Sequence, residues 1–255
     1  MVAICVGGVL ASNGSSSAQK AQLPGQDIKS SAPTPKTKEI ATTPLTADDC
    51  PPATKYDNAA DNSVRYCLFA EQKSLKRCET SYFNYIKRDA NTAVSFSFRL
   101  EDSNWDFHDI FTSIFQIHSK PDPGEAWRCP IAMLAVQDHT LVMWDRYDLS
   151  PISTTTNGTC ADEGNSIHGQ DVFSEIPVQA GRWYDFALHA DLTLKPSGTF
   201  TATLDNETIG SVSGPNTYND QHEPFAKIGI YKPSPWQNAK RLCVDYRNVR
   251  VNGGN

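Results

Sequence analysis

The sequence predicts an all-β protein, a two-sheet β-sandwich of jelly-roll type, on three observations. From about Arg65 onward apolar and polar residues alternate in short runs, the period of a strand with one buried face. Clusters of Gly, Pro, Asn and Asp separate the runs, and no apolar stripe at helical spacing exceeds two turns. Strands this short and numerous over ~200 residues suit two packed sheets better than a barrel ringed by helices.

Composition agrees with one folded core. Of 255 residues, 39% are hydrophobic, 20% charged and 10% aromatic, a balance that excludes global disorder and a coiled coil. The formal charge of −6 leaves no general footprint for nucleic acid, although a local basic groove can exist within an acidic protein. Val2 to Ala11 is apolar but shorter than the ~20 residues that span a bilayer. With the small residues after it, it reads as a secretory signal peptide over 1–18 that lacks the usual charged start. Positions 19–49, rich in Ser, Thr, Pro and Lys, read as a linker, and 50–255 as the folded domain. Setting Cys5 aside leaves Cys50, Cys67, Cys78, Cys129, Cys160 and Cys243, without zinc spacing. Three disulfides in a secreted, extracellular domain are expected, and any of fifteen pairings is open. Sequons at Asn157 and Asn206 predict surface loops.

Each strand follows from its own alternation. In Lys76 to Glu79, Arg77 and Glu79 share a face and Cys78 points away, toward a disulfide. Val94, Phe96, Phe98 and Leu100 alternate with Ser95, Ser97 and Arg99. In Ile114 to His118, Phe115 and Ile117 point to the core, which leaves Gln116 and His118 about 7 Å apart on the other face at ~3.3 Å per residue. Tyr184, Phe186, Leu188 and Ala190 form another core face, as do Phe200, Ala202 and Leu204. Asp205-Asn206, between TFTATL and ETIGSV, predicts a tight hairpin. In Ala226 to Tyr231, Ile228 and Ile230 are core residues, so Lys227, Gly229 and Tyr231 share the opposite face, with the glycine expected to leave room for a ligand.

Arg, Gln, His, Lys and Tyr on three strands suit one chemistry, the β-elimination that breaks a uronic acid polysaccharide. Removing the C5 proton of a uronosyl unit builds negative charge on the adjacent carboxylate. Arg77 is the expected charge partner, because guanidinium is permanently positive and binds carboxylates bidentately. Gln116 and His118 would complete the hydrogen bonds to the enediolate. Tyr231 or His118 would be the base; Lys227 is expected to ease the ionisation of Tyr231. Glu79 is expected to orient Arg77 at the substrate-binding side. Taken alone, each has a duller reading: a strand histidine is usually a hydrogen-bonded structural group, and Tyr231 a packing residue. Their joint presence carries the argument.

FQIHS, KIGIY and the upstream RxE resemble the jelly-roll polysaccharide lyases, the alginate, glucuronan and heparin lyase I-like enzymes with a concanavalin A-like sandwich. AGRWYDFALHADL followed by a hairpin and FAKIGIYK is similar to the second half of the heparinase-like branch, so the likeness spans about 65 to 251. It implies Arg77 as carboxylate neutraliser, Gln116 and His118 as a central polar pair, Lys227 as a subsite cation and Tyr231 as catalytic acid or base. RCETS lacks the second arginine of the alginate pattern R-T-E-L-R, and Pro233 replaces its terminal glutamine. Glucuronan or alginate is the expected substrate, since sulfated heparin would require a strongly basic groove. No cofactor is expected to be required, no nucleic acid or membrane partner is expected, and the chain is expected to be a monomer. Asp102, Asp106 and Asp109 are candidates for structural calcium without recognised loop spacing. The alternatives are a carbohydrate-binding module or lectin on the same fold, or a glycoside hydrolase, which would need two facing carboxylates.

Overall fold

Alternation becomes pleat wherever one face must be buried. In β5 (Asn91–Leu100) the residues Val94, Phe96, Phe98 and Leu100 are at most 2% exposed, while Ser95 and Arg99 between them reach solvent. The computed structural model describes residues 45–71, 76–101, 105, 111–233 and 240–253. The expected signal peptide, most of the expected linker and the calcium candidates Asp102, Asp106 and Asp109 lie outside them.

Two seven-stranded antiparallel sheets face each other. The first runs β1 (Leu45–Asp49), β4 (Arg77–Phe83), β13 (Phe225–Tyr231), β6 (Thr112–His118), β7 (Ala132–Gln137), β8 (Thr140–Tyr147), β9 (His168–Pro177). The second runs β12 (Glu207–Ser213), β11 (Thr199–Leu204), β10 (Trp183–Asp191), β5, β14 (Arg241–Gly253), β3 (Ser63–Phe69), β2 (Lys55–Asn58). The fold is the expected sandwich. Leu45–Asp49, assigned to the linker from composition, is instead the edge strand β1, paired with β4 from Leu45↔Phe83 to Asp49↔Glu79. Its five residues are all exposed, so no apolar periodicity marked it.

Aromatic side chains fill the space between the sheets. Phe96 lies 5.5 Å from Phe115, 5.3 Å from Phe186 and 5.5 Å from Tyr246, in tilted and edge-on contacts. Tyr246, on β14 of the second sheet, puts its hydroxyl 2.5 Å from the carbonyl oxygen of Ile114 and 2.8 Å from that of Gly229. One buried phenol thus ties the far sheet to β6 and β13. Those two strands are buried on both faces, because the outer face of the first sheet is the floor of a groove.

The hairpin forms as expected. Asp205 and Asn206 take φ of 51° and 68°, the left-handed pair of a tight two-residue turn, and Leu204 pairs with Glu207. The six cysteines form Cys50–Cys78, Cys67–Cys243 and Cys129–Cys160. Asn157 and Asn206 are both exposed. Among the described residues no helix is long and apolar enough to cross a membrane.

Candidate active site

Four central strands of the first sheet aim polar side chains at a groove of about 840 Å³ on its outer face. Antiparallel register sets Tyr231 of β13 opposite Arg77 of β4, and Lys227 opposite Gln116 of β6. Arg77, Gln116, His118, Lys227 and Tyr231 all line this groove, so the structure brings together five of the six residues singled out from sequence. The sixth, Glu79, lies beneath it.

Glu79 is a correction. It was expected at the substrate-binding side as the residue that orients Arg77, yet it is 2% exposed and forms the hub of a buried network. Gln116 Nε2 donates to Glu79 Oε1 at 2.6 Å and Lys227 Nζ donates to Oε2 at 3.0 Å, whereas the Arg77 guanidinium is 3.8 Å away. The physical reason is register: Glu79 pairs with Gly229, which has no side chain to cover it, and Lys227 and Gln116 stand together in the next outward-facing row. Burial raises the Glu79 carboxyl above its ordinary range, and the Lys227 ammonium opposes this.

Lys227 is corrected with it. Expected as a subsite cation, it is 7% exposed and its ammonium is committed to Glu79, so it neutralises a buried carboxylate rather than reaching far into the groove. The cation against Tyr231 is Arg77, whose guanidinium lies 4.9 Å from the ring centroid. Gly229 also has a different reason from the one expected. Its φ is 147°, and a Cβ there would stand 2.2 Å from the carbonyl oxygen of Cys78. The glycine admits the backbone of β4, not a ligand.

His118 sits between rings, 5.8 Å from Phe225 in a stacked contact and 5.5 Å from Trp127 edge-on. Burial, reinforced by the positive charges of Lys227, Arg77 and Arg128, lowers its pKa to about 4, so the imidazole is neutral at neutral pH. Nδ1 is 2.9 Å from both the carbonyl oxygen and the amide nitrogen of Ser119. Where Nδ1 donates to the carbonyl, Nε2 keeps a lone pair; where Nδ1 accepts from the Ser119 amide, Nε2 carries the proton.

Four further residues line the groove: Trp127 and Trp144, which the sequence offers equally as core or sugar-stacking residues, and Arg128 and Arg146, which were not singled out from it. Trp144 and Arg146, two apart on β8, share its outer face, a signal that alternation could have shown. Trp127, 60% exposed, and Arg128 come from the connection between β6 and β7, whose sequence has no period to read. Arg128 holds the one group of three acids among the described residues that could bind a cation, Asp122, Glu125 and Asp220. Its Nη1 is 3.0 Å from Glu125 Oε1 and its Nη2 2.6 Å from Asp220 Oδ1, so the guanidinium already supplies the positive charge. Lys227 and Arg128 are spent on buried carboxylates, so Arg77, Lys120 and Arg146, beside Asp49, are the cations that leave the groove basic inside an acidic protein.

The polysaccharide lyase family model matches residues 15–246. Among solved structures, the chain is similar to an endo-β-1,4-glucuronan lyase from the fungus Trichoderma reesei, with TM-score 0.60 at 16% identity over 84% of this chain and 88% of that one. It is also similar to the family 7 alginate lyase A1-II′ in complex with the substrate GGMG, in a variant with one His→Asn and one Tyr→Phe change. There the TM-score is 0.53 at 14% identity, over 80% and 82%. The binding domain of botulinum neurotoxin serotype C1 matches at TM-score 0.52 and 8% identity over 82% and 44%, so the sandwich alone does not assign a function. No curated protein matches the sequence.

Proposed function

The chain belongs to the polysaccharide lyase family, and from that premise we propose that it cleaves a polymer of uronic acids, glucuronan or alginate, by β-elimination in the groove over β4, β13 and β6. The observation that carries this reading is the convergence of Arg77, Gln116, His118 and Tyr231 on one basic groove. Binding a uronate there sets its carboxylate against Arg77, the groove's exposed guanidinium, which is held only by long contacts of 3.9 Å to Asp49 and 3.8 Å to Glu79. Gln116 spends one amide hydrogen on Glu79 and keeps a second for the developing enediolate. That stabilisation lowers the barrier to loss of the C5 proton.

His118, neutral and with Nε2 free in the tautomer that donates to Ser119, takes the proton. Tyr231 gives one to the departing O4, so elimination leaves an unsaturated uronate on the new non-reducing end and a free hydroxyl on the other fragment. In a same-side elimination Tyr231 would perform both transfers, with the Arg77 guanidinium 4.9 Å from its ring centroid. The substrate-bound alginate lyase variant, with one histidine and one tyrosine replaced, supports assigning the proton transfers to this pair of residue types. Disulfides closing Cys50–Cys78, Cys67–Cys243 and Cys129–Cys160 support action outside the cell.

The test is the ultraviolet absorbance of the conjugated product, with purified protein given glucuronan, polymannuronate, polyguluronate or heparin separately. We expect a rise on a carboxylate polymer and a loss of at least ~100-fold in Tyr231→Phe, the lower range for general acid-base groups. Retained polymer binding without any rise would establish a carbohydrate-binding module instead.

A further inference from the structure

The groove extends past the residues assigned to the chemistry, and one cation in that extension has no carboxylate within ion-pair distance among the described residues. Arg146, on β8, lines the groove and is half-buried. Arg77 and Arg128, the other two groove arginines, each lie within ion-pair distance of a carboxylate. For Arg146 no carboxylate lies within 4.0 Å among the described residues. Its contacts are Nη1 donating to the carbonyl oxygen of Pro130 at 3.1 Å and a position 5.8 Å from the Trp144 ring centroid. Asp145, Asp162 and Asp171 act on it only from longer range, since Asp145 points to the other face of β8. A half-buried guanidinium with spare donors turned to a groove is suited to take an anion from outside.

We propose that Arg146 is a distal subsite that binds the carboxylate of a second uronate in the same chain, with Trp144 and the exposed Trp127 as the apolar surface under the intervening sugars. Strand order supplies the distance. The proton-transfer pair sits over β13 and β6, and β8 lies two strands beyond β6. At about 4.8 Å per strand that is roughly 10 Å. A pyranose chain repeats at nearly the strand spacing, so a polymer crossing the strands places its second uronate beyond the reacting one over Arg146. A planar fork suits that carboxylate better than an ammonium would. Aromatic faces take the apolar faces of sugar rings without specifying the hydroxyl pattern. The subsite therefore reads charge and length.

The inference rests on the lyase reading, and the experiment separates their failures. Specificity constants would be measured on size-defined uronate oligomers, from the shortest one cleaved to a hexamer, for wild type, Arg146→Gln and Arg146→Lys. Wild type is expected to gain with each added unit until the chain reaches Arg146. Arg146→Gln should lose roughly 10- to 100-fold on the hexamer, the worth of one charge-assisted contact, and less than about 2-fold on the shortest oligomer. Arg146→Lys, which keeps the charge but not the fork, should recover part of that loss. An equal loss on short and long oligomers, or no loss on either, overturns the distal subsite while leaving the lyase intact. Absence of wild-type cleavage on every polymer overturns the lyase reading, and the subsite with it.

Discussion

His118 shows how burial decides the chemistry of a single residue. Its pKa in the folded protein is about 4, against an ordinary 6.5, chiefly because the charged ring would lose its hydration. Between these values the unfolded chain binds more protons than the folded one, so stability is fully present above 6.5 and is lost as pH falls through 6.5 toward 4. A thermal unfolding series across that window should show a steeper fall for wild type than for His118→Asn, and equal slopes would refute the shift. The same value predicts that the acid limb of kcat/KM lies nearer pH 4 than pH 6.5. Glu79 teaches the converse lesson. Its shared face with Arg77 was legible from a period of two, but its role was not, because its partners Gln116 and Lys227 come from β6 and β13, 37 and 148 positions away.

At the scale of elements, the site depends on how closely β4 and β13 approach. Gly229 lets them meet, with the carbonyl of Cys78 where a Cβ would stand and a φ that L side chains rarely adopt. Gly229→Ala should cost more than about 3 kcal/mol, because both the clash and the backbone strain must be relieved by moving whole strands. Denaturant unfolding measures this, and a cost below about 0.5 kcal/mol would mean that the strands are not so close. Lost activity should accompany lost stability, since Lys227 and Tyr231 flank the glycine on the strand that would move. Strand existence was legible for β5, β10, β11 and β13 from alternation alone. The exposed β1 was not, nor was the Trp127-Arg128 connection, because neither has a buried face to imprint a period on its sequence.

For the molecule as a whole, the disulfides close loops of very different size. Cys67–Cys243 joins β3 to β14 across 176 positions, whereas Cys129–Cys160 spans 31. By loop-closure entropy, removing the first as Cys67→Ala/Cys243→Ala should cost about 1.5 kcal/mol more than removing the second. Comparison of the two double variants by denaturant unfolding tests it, and a larger cost for the shorter loop would contradict it. The charge distribution likewise exists only at this scale. A chain of net charge −6 gathers Arg77, Lys120, Arg128, Arg146 and Lys227 around one groove, an arrangement that suits the anionic polymer proposed as substrate.

The sequence by itself determined the sandwich, the hairpin at Asp205-Asn206, and the faces on which Gln116, His118, Lys227 and Tyr231 stand, because strand periodicity and turn chemistry are local properties of the chain. Tertiary structure alone decided that Glu79 is a buried hub, that Lys227 neutralises it, that Arg77 lies against the ring of Tyr231, and that Arg146 lines the groove with no carboxylate within ion-pair distance among the described residues. Ion pairs and desolvation depend on which strands become neighbours, and that order joins residues far apart in the chain.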